Sequence, residues 1–110
     1  MKIHYDRFYR YAEFTEILHH FAKKFPKLLS LESIGKSHEG KDIWVVTATN
    51  QDTGPATDKP AYWVDANIHA SELAGGAAAL YLIDTLTKNY RKRDDITRCL
   101  DTREIGRAHV

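Results

Sequence analysis

The chain is poor in cysteine, having a single one, Cys99, among 110 residues. One thiol forms no internal disulfide, no cysteine zinc site and no redox pair. Cys99 falls in an apolar-periodic stretch, where a buried, inert thiol is expected. No run approaches the ~20 apolar residues that span a bilayer, and no apolar segment with a cleavage site follows Met1, so neither a membrane span nor a signal peptide is read and a cytoplasmic chain is expected. Charge of one sign is also missing. With 16 basic and 15 acidic residues and a net charge of +1, there is no field to hold nucleic acid or an anionic membrane. The basic clusters Lys23-Lys24 and Arg91-Lys92-Arg93 sit at the ends of predicted helices, where the helix dipole favours cations. Prolines number only three and glycines six, so each one punctuates.

What is present is ordinary for a globular domain: 43% hydrophobic and 28% charged residues. Phe14, Ile17, Leu18 and Phe21 fall on one face of a predicted helix over 11–24, stopped by Pro26. Leu29 and Leu31 alternate with polar neighbours as in a half-buried strand, and a turn at His38-Glu39-Gly40-Lys41 leads into the β-rich run 43–49. A hairpin follows from this pairing. Residues 50–60, with Gly54, Pro55 and Pro60, read as a loop. The short strand 61–67 carries apolar residues on both faces, which predicts an internal strand covered on both sides. A helix from Leu73 to about Asn89 is expected to bury Leu73, Ala77, Leu80, Tyr81 and Leu86, and a shorter one starts at Asp94. The order predicts an α/β domain with a mixed sheet, about three strands and two to three helices. Three strands alone would leave long unpaired edges.

The segment Asp65-Ala66-Asn67-Ile68-His69-Ala70-Ser71-Glu72 leaves the third strand and enters the long helix. Ligands in open α/β sheets bind at the carboxyl ends of strands. A His and a Glu three residues apart there can converge on one point, and imidazole and carboxylate both suit Zn²⁺. The same residues have plainer uses: Glu72 near a helix start answers the dipole, Ser71 is an ordinary N-cap, and a lone His is often a hydrogen-bonded structural residue. The glycines Gly75-Gly76 at the helix start invite a phosphate cradle. They lack the fingerprint spacing, and Glu72 would repel an anion.

Four ordered pieces, Ile34-Gly35-Lys36-Ser37, Gly40-Lys41-Asp42-Ile43, Lys59-Pro60-Ala61 and Ile68-His69-Ala70-Ser71-Glu72, resemble the opening of the zinc metallocarboxypeptidases of the carboxypeptidase A type. The resemblance covers about residues 8 to 103. It implies the amino-terminal portion of a mixed-sheet α/β/α catalytic domain, with His69 and Glu72 as the first two Zn²⁺ ligands and a peptide or peptide-like substrate for the parent. It supplies no third ligand: His4, His19, His20 and His38 precede the motif, and no residue matches the family's general base or its clamp for the substrate carboxylate. Ser71 stands where digestive members carry Arg, which bears on substrate preference. The chain alone is therefore expected to be inactive. A small non-catalytic zinc- or ligand-binding α/β module is the alternative.

Residues 104–110 look foreign to that pattern. The last six, Ile105-Gly106-Arg107-Ala108-His109-Val110, match the translation of a sequencing-library adapter, ATC GGA AGA GCA CAC GTC. The expectation is a domain portion over 1–103 and a non-native tail over 104–110, with His109 excluded as a third ligand.

Overall fold

A computed structural model describes residues 3–5, 9–66 and 73–109. The first helix, α1 (Tyr11–Lys24), opens where the Arg10 N–H donates to Glu13 Oε1 at 3.2 Å. This occupies a backbone donor ahead of the first turn. α1 buries Phe14, Ile17, Leu18 and Phe21, the stripe read from the sequence. β1 (Leu29–Lys36) and β2 (Asp42–Ala48) pair antiparallel, from Leu29 opposite Ala48 to Ser33 opposite Trp44, with a register shift between Ser33 and Lys36. The connecting turn bends at Gly40, whose φ of 79° suits a residue without Cβ. Two hydrogen bonds fix α1 to the hairpin: Trp44 Nε1 to Thr15 Oγ1 at 3.1 Å, and Tyr11 OH to the Asp42 carbonyl at 2.8 Å.

After two short 3₁₀ turns, Gln51–Thr53 and Ala56–Asp58, come β3 (Ala61–Ala66), α2 (Leu73–Asn89), α3 (Asp94–Thr102) and β4 (Glu104–His109). The sheet has four strands in the order β1-β2-β4-β3. β4 runs antiparallel to β2 and parallel to β3, with Ile105 opposite both Ala48 and Tyr62. The mixed α/β architecture is as expected. The fourth strand comes from the segment that the sequence sets apart from the domain. No helix among the described residues is long and apolar enough to cross a membrane.

All three helices feed one core. Phe14, Ile17, Leu18 and Phe21 of α1, Leu80, Ile83 and Leu86 of α2, and Ile96 and Leu100 of α3 close over Leu29, Val46 and Ala48, with Ile105 packed against them. Two expectations are corrected here. Tyr81 is 58% exposed because α2 turns Ala79, Leu80, Ile83, Leu86 and Thr87 inward; its ring meets Tyr5 edge-to-face, centroids 5.2 Å apart. β3 is an edge strand, not an internal one, and Tyr62 and Trp63 are 69% and 56% exposed. On the sheet face away from the core, Ser30, Glu32, Ile34, Val45, Thr47, Trp63 and Gly106 border a shallow depression of about 450 Å³. A Cβ on Gly106 would lie 3.2 Å from Trp63 Cε3, so the indole lies close over β4 where a glycine leaves room. Cys99 is a free, half-buried thiol.

Candidate functional site

His69 and Glu72 lie in the connection between β3 and α2, residues 67–72, outside the described residues, as do Ser71 and Asn67. Their setting is described up to its rims. β3 ends at Ala66 and α2 begins at Leu73. The carboxyl ends of β3 and β4 are level, Ala66 being the register partner of His109. The connection therefore leaves the sheet at the carboxyl end of a parallel pair, the end at which α/β sheets place ligands. Near that end the Trp63 Nε1–H donates to Asp65 Oδ2 at 3.2 Å.

Whether a metal fits can be judged from the donors present. Imidazole and carboxylate are suitable zinc ligands, and a catalytic zinc takes three protein ligands. Among the described residues no group of three His, Cys, Asp or Glu side chains could hold a metal ion. The histidines read as non-ligands are scattered. His4 and His38 are exposed. His19 Nδ1 lies 2.9 Å from the Thr15 carbonyl, its ring edge-to-face with Trp44 at 5.0 Å. His20 borders a cavity of about 340 Å³ with Ile3, Tyr5, Phe21, Lys24 and Asp84. There Tyr5 OH donates to Asp84 Oδ2 at 2.8 Å and Lys88 Nζ donates to the same oxygen at 3.1 Å. Burial and then that carboxylate push the Tyr5 phenol well above its ordinary pKa.

A polar network not anticipated from the sequence holds the amino end of β3. Lys59 Nζ donates to Thr49 Oγ1 at 2.9 Å, to the Asn50 carbonyl at 2.7 Å and to Thr53 Oγ1 at 2.9 Å. The Asn50 amide donates to Asp101 Oδ1 at 2.8 Å and to Tyr90 OH at 2.8 Å, and Tyr90 OH donates to Asp101 Oδ1 at 2.6 Å. The loop before β3 is thereby tied to α3 and to the end of α2. Only Lys59 was singled out in the sequence, and for its place before Pro60.

The Tyr90 hydroxyl, then the Asn50 amide, hold the Asp101 carboxyl below the ordinary carboxylate range. A carboxyl depressed in the folded state adds stability that is complete above its unfolded pKa and is lost as pH falls through the folded value. Acidification from the unfolded value of about 4 downward should therefore lower the melting temperature of the chain more steeply than that of Asp101→Asn. Circular dichroism melts across that range would show parallel slopes if Asp101 were not part of the coupling.

Comparison with known proteins adds ancestry to this geometry. A zinc carboxypeptidase family model matches residues 14–106. The chain is 30% identical over 99 residues to mouse carboxypeptidase M, covering 90% of this chain and 22% of that protein. It is 29% identical over 103 residues to a zinc carboxypeptidase of Saccharothrix mutabilis subsp. capreolus, covering 92% and 23%. Among solved structures, thrombin activatable fibrinolysis inhibitor superposes with a TM-score of 0.83 at 22% identity, over 94% of this chain and 25% of that one. Carboxypeptidase A from Helicoverpa armigera gives 0.77 at 24% identity, over 99% and 25%. The chain spans about a quarter of the length of the relatives it matches.

Proposed function

Since the chain belongs to the zinc carboxypeptidase family, we propose that it is a portion of a metallopeptidase domain that hydrolyses the C-terminal peptide bond of peptides, with His69 and Glu72 as two zinc ligands. What supports this most is that both residues fall inside the matched span 14–106 and in the connection between β3 and α2. Zinc bound in such a site would polarise the scissile carbonyl and acidify a bound water. The chain's own part is to present an imidazole nitrogen from His69 and a carboxylate oxygen from Glu72 at one end of the sheet. The network around Lys59 and Asp101 would hold the opposite end of β3 in place, so that the strand is a fixed post for the connection. A substrate clamp and a general base must come from residues other than those identified here, and the isolated 110-residue chain is proposed to be inactive.

Calorimetric zinc titration of the purified chain tests the metal assignment. Two ligands without a third should bind zinc no more tightly than the micromolar range, and His69→Ala should remove most of that heat. Nanomolar binding dependent on His69 would instead mark a self-sufficient zinc module, and binding unaffected by the substitution would remove His69 from the ligand set.

A further inference from the structure

The sheet has two outer edges, and they differ. β1 is blunted: its register shifts between Ser33 and Lys36, and Lys36 Nζ pairs with Asp42 Oδ1 at 2.8 Å across that irregularity. Bulges and edge lysines are the usual means of keeping an edge from pairing. β3 has no register shift, lysine or proline between Ala61 and Ala66, and no described strand pairs with its outer side. Ala61, Tyr62, Trp63 and Asp65 are all exposed.

The direction of its backbone groups can be derived. The Glu104 N–H donates to the Pro60 carbonyl at 3.0 Å, so Pro60 points its carbonyl toward β4. Backbone groups alternate sides along a strand. Tyr62, Val64 and Ala66 therefore address β4, while Ala61, Trp63 and Asp65 present their N–H and C=O groups outward.

We infer that this edge pairs with the same edge of a second copy of the chain, antiparallel about a two-fold axis through Trp63. In that register Trp63 lies opposite Trp63 of the partner subunit, Ala61 opposite the partner subunit's Asp65, and Tyr62 opposite the partner subunit's Val64. Every outward N–H and C=O of Ala61, Trp63 and Asp65 then finds a partner. Opposed residues share a face, as antiparallel pairing requires, and the two Asp65 carboxylates are kept apart. Shifting the axis to Tyr62 leaves Asp65 without a strand partner. Shifting it to Val64 sets the apolar Trp63 against the partner subunit's Asp65. The Trp63 register is self-complementary, the condition for a closed two-fold contact, and it joins two four-stranded sheets into one. It does not depend on the zinc reading.

Sedimentation equilibrium on the purified chain tests the pairing. A monomer–dimer equilibrium is expected at micromolar concentrations. Ala61→Lys, which sets an ammonium opposite the partner subunit's Asp65, should tighten it about threefold to tenfold, and Ala61→Glu should weaken it by a similar factor. Ala61 is exposed, and melts of the diluted variants separate folding from association. A chain that stays monomeric, which would leave the β3 edge for a strand from a longer polypeptide, overturns the inference. So does association that ignores the charge at position 61.

Discussion

Deleting residues 104–110 is expected to abolish cooperative unfolding altogether. β4 is the only described strand that touches β3, and it also pairs with β2 from Trp44 to Ala48. Its removal leaves two facing strand edges, each with backbone groups that cost about 1–3 kcal/mol apiece when buried without partners. It also takes away Ile105, which packs on the core and is worth about 1.5–3 kcal/mol if fully buried. A domain of this size typically has only about 5–15 kcal/mol in hand, and a few such losses exhaust it. Differential scanning calorimetry of the deletion should show no sharp transition, and far-ultraviolet circular dichroism should show reduced strand content. A cooperative melt near that of the intact chain would show instead that β1, β2 and the helices hold together without β4.

Leu100→Ala should cost about 2–5 kcal/mol, lowering the melting temperature by roughly 10 °C or more. Leu100 is wholly buried, at 0% exposure, and with Ile96 forms the apolar stripe of α3. Its carbonyl accepts from the Asn50 N–H at 2.7 Å and from Thr49 Oγ1 at 3.0 Å. Alanine keeps those bonds, so the loss reports packing and not hydrogen bonding. Its neighbour Cys99, only half buried, gives the control: Cys99→Ser should change stability by less than about 1 kcal/mol, since substitutions away from the closed core usually have small effects. Equal losses at the two positions in urea titrations would mean that α3 does not seat its Leu100 face in the core.

Most of the fold was legible in the sequence because its signals are local. The stripe Phe14, Ile17, Leu18 and Phe21, the stop at Pro26 and the β-branched run in β2 each announce themselves within a few residues. β4 did not. Ile105 is its only strong strand former, and Gly106 and Ala108 are poor ones; what makes the segment a strand is the slot between β2 and β3, a property of distant chain. Tyr81 was misassigned for a similar reason: helical spacing leaves the phase of a small-residue helix loosely set, and its exposed position is taken up by contact with Tyr5. The Lys59–Asp101 network joins residues some 50 positions apart, as in the Asn50–Asp101 bond, and no spacing rule reaches that far. His69 and Glu72 are the opposite case. A tetrapeptide between a strand and a helix names them, while their convergence on a metal is a matter for the titration.

The position of β4 also sets a timetable for the nascent chain. The hairpin of β1 and β2 is complete once Ala48 has been synthesised, and β3 once Ala66 has, yet the strand that must lie between them begins only at Glu104. The ribosome thus makes the middle of the sheet after its flanks. Through that interval β2 and β3 have pairing edges that face no strand, and sequence-distant closure of this kind is slow compared with hairpin formation. Unpaired edges during synthesis are the usual entry to misassembly. Elongation rate and chaperone supply should therefore govern the soluble yield of this chain more than its final stability does.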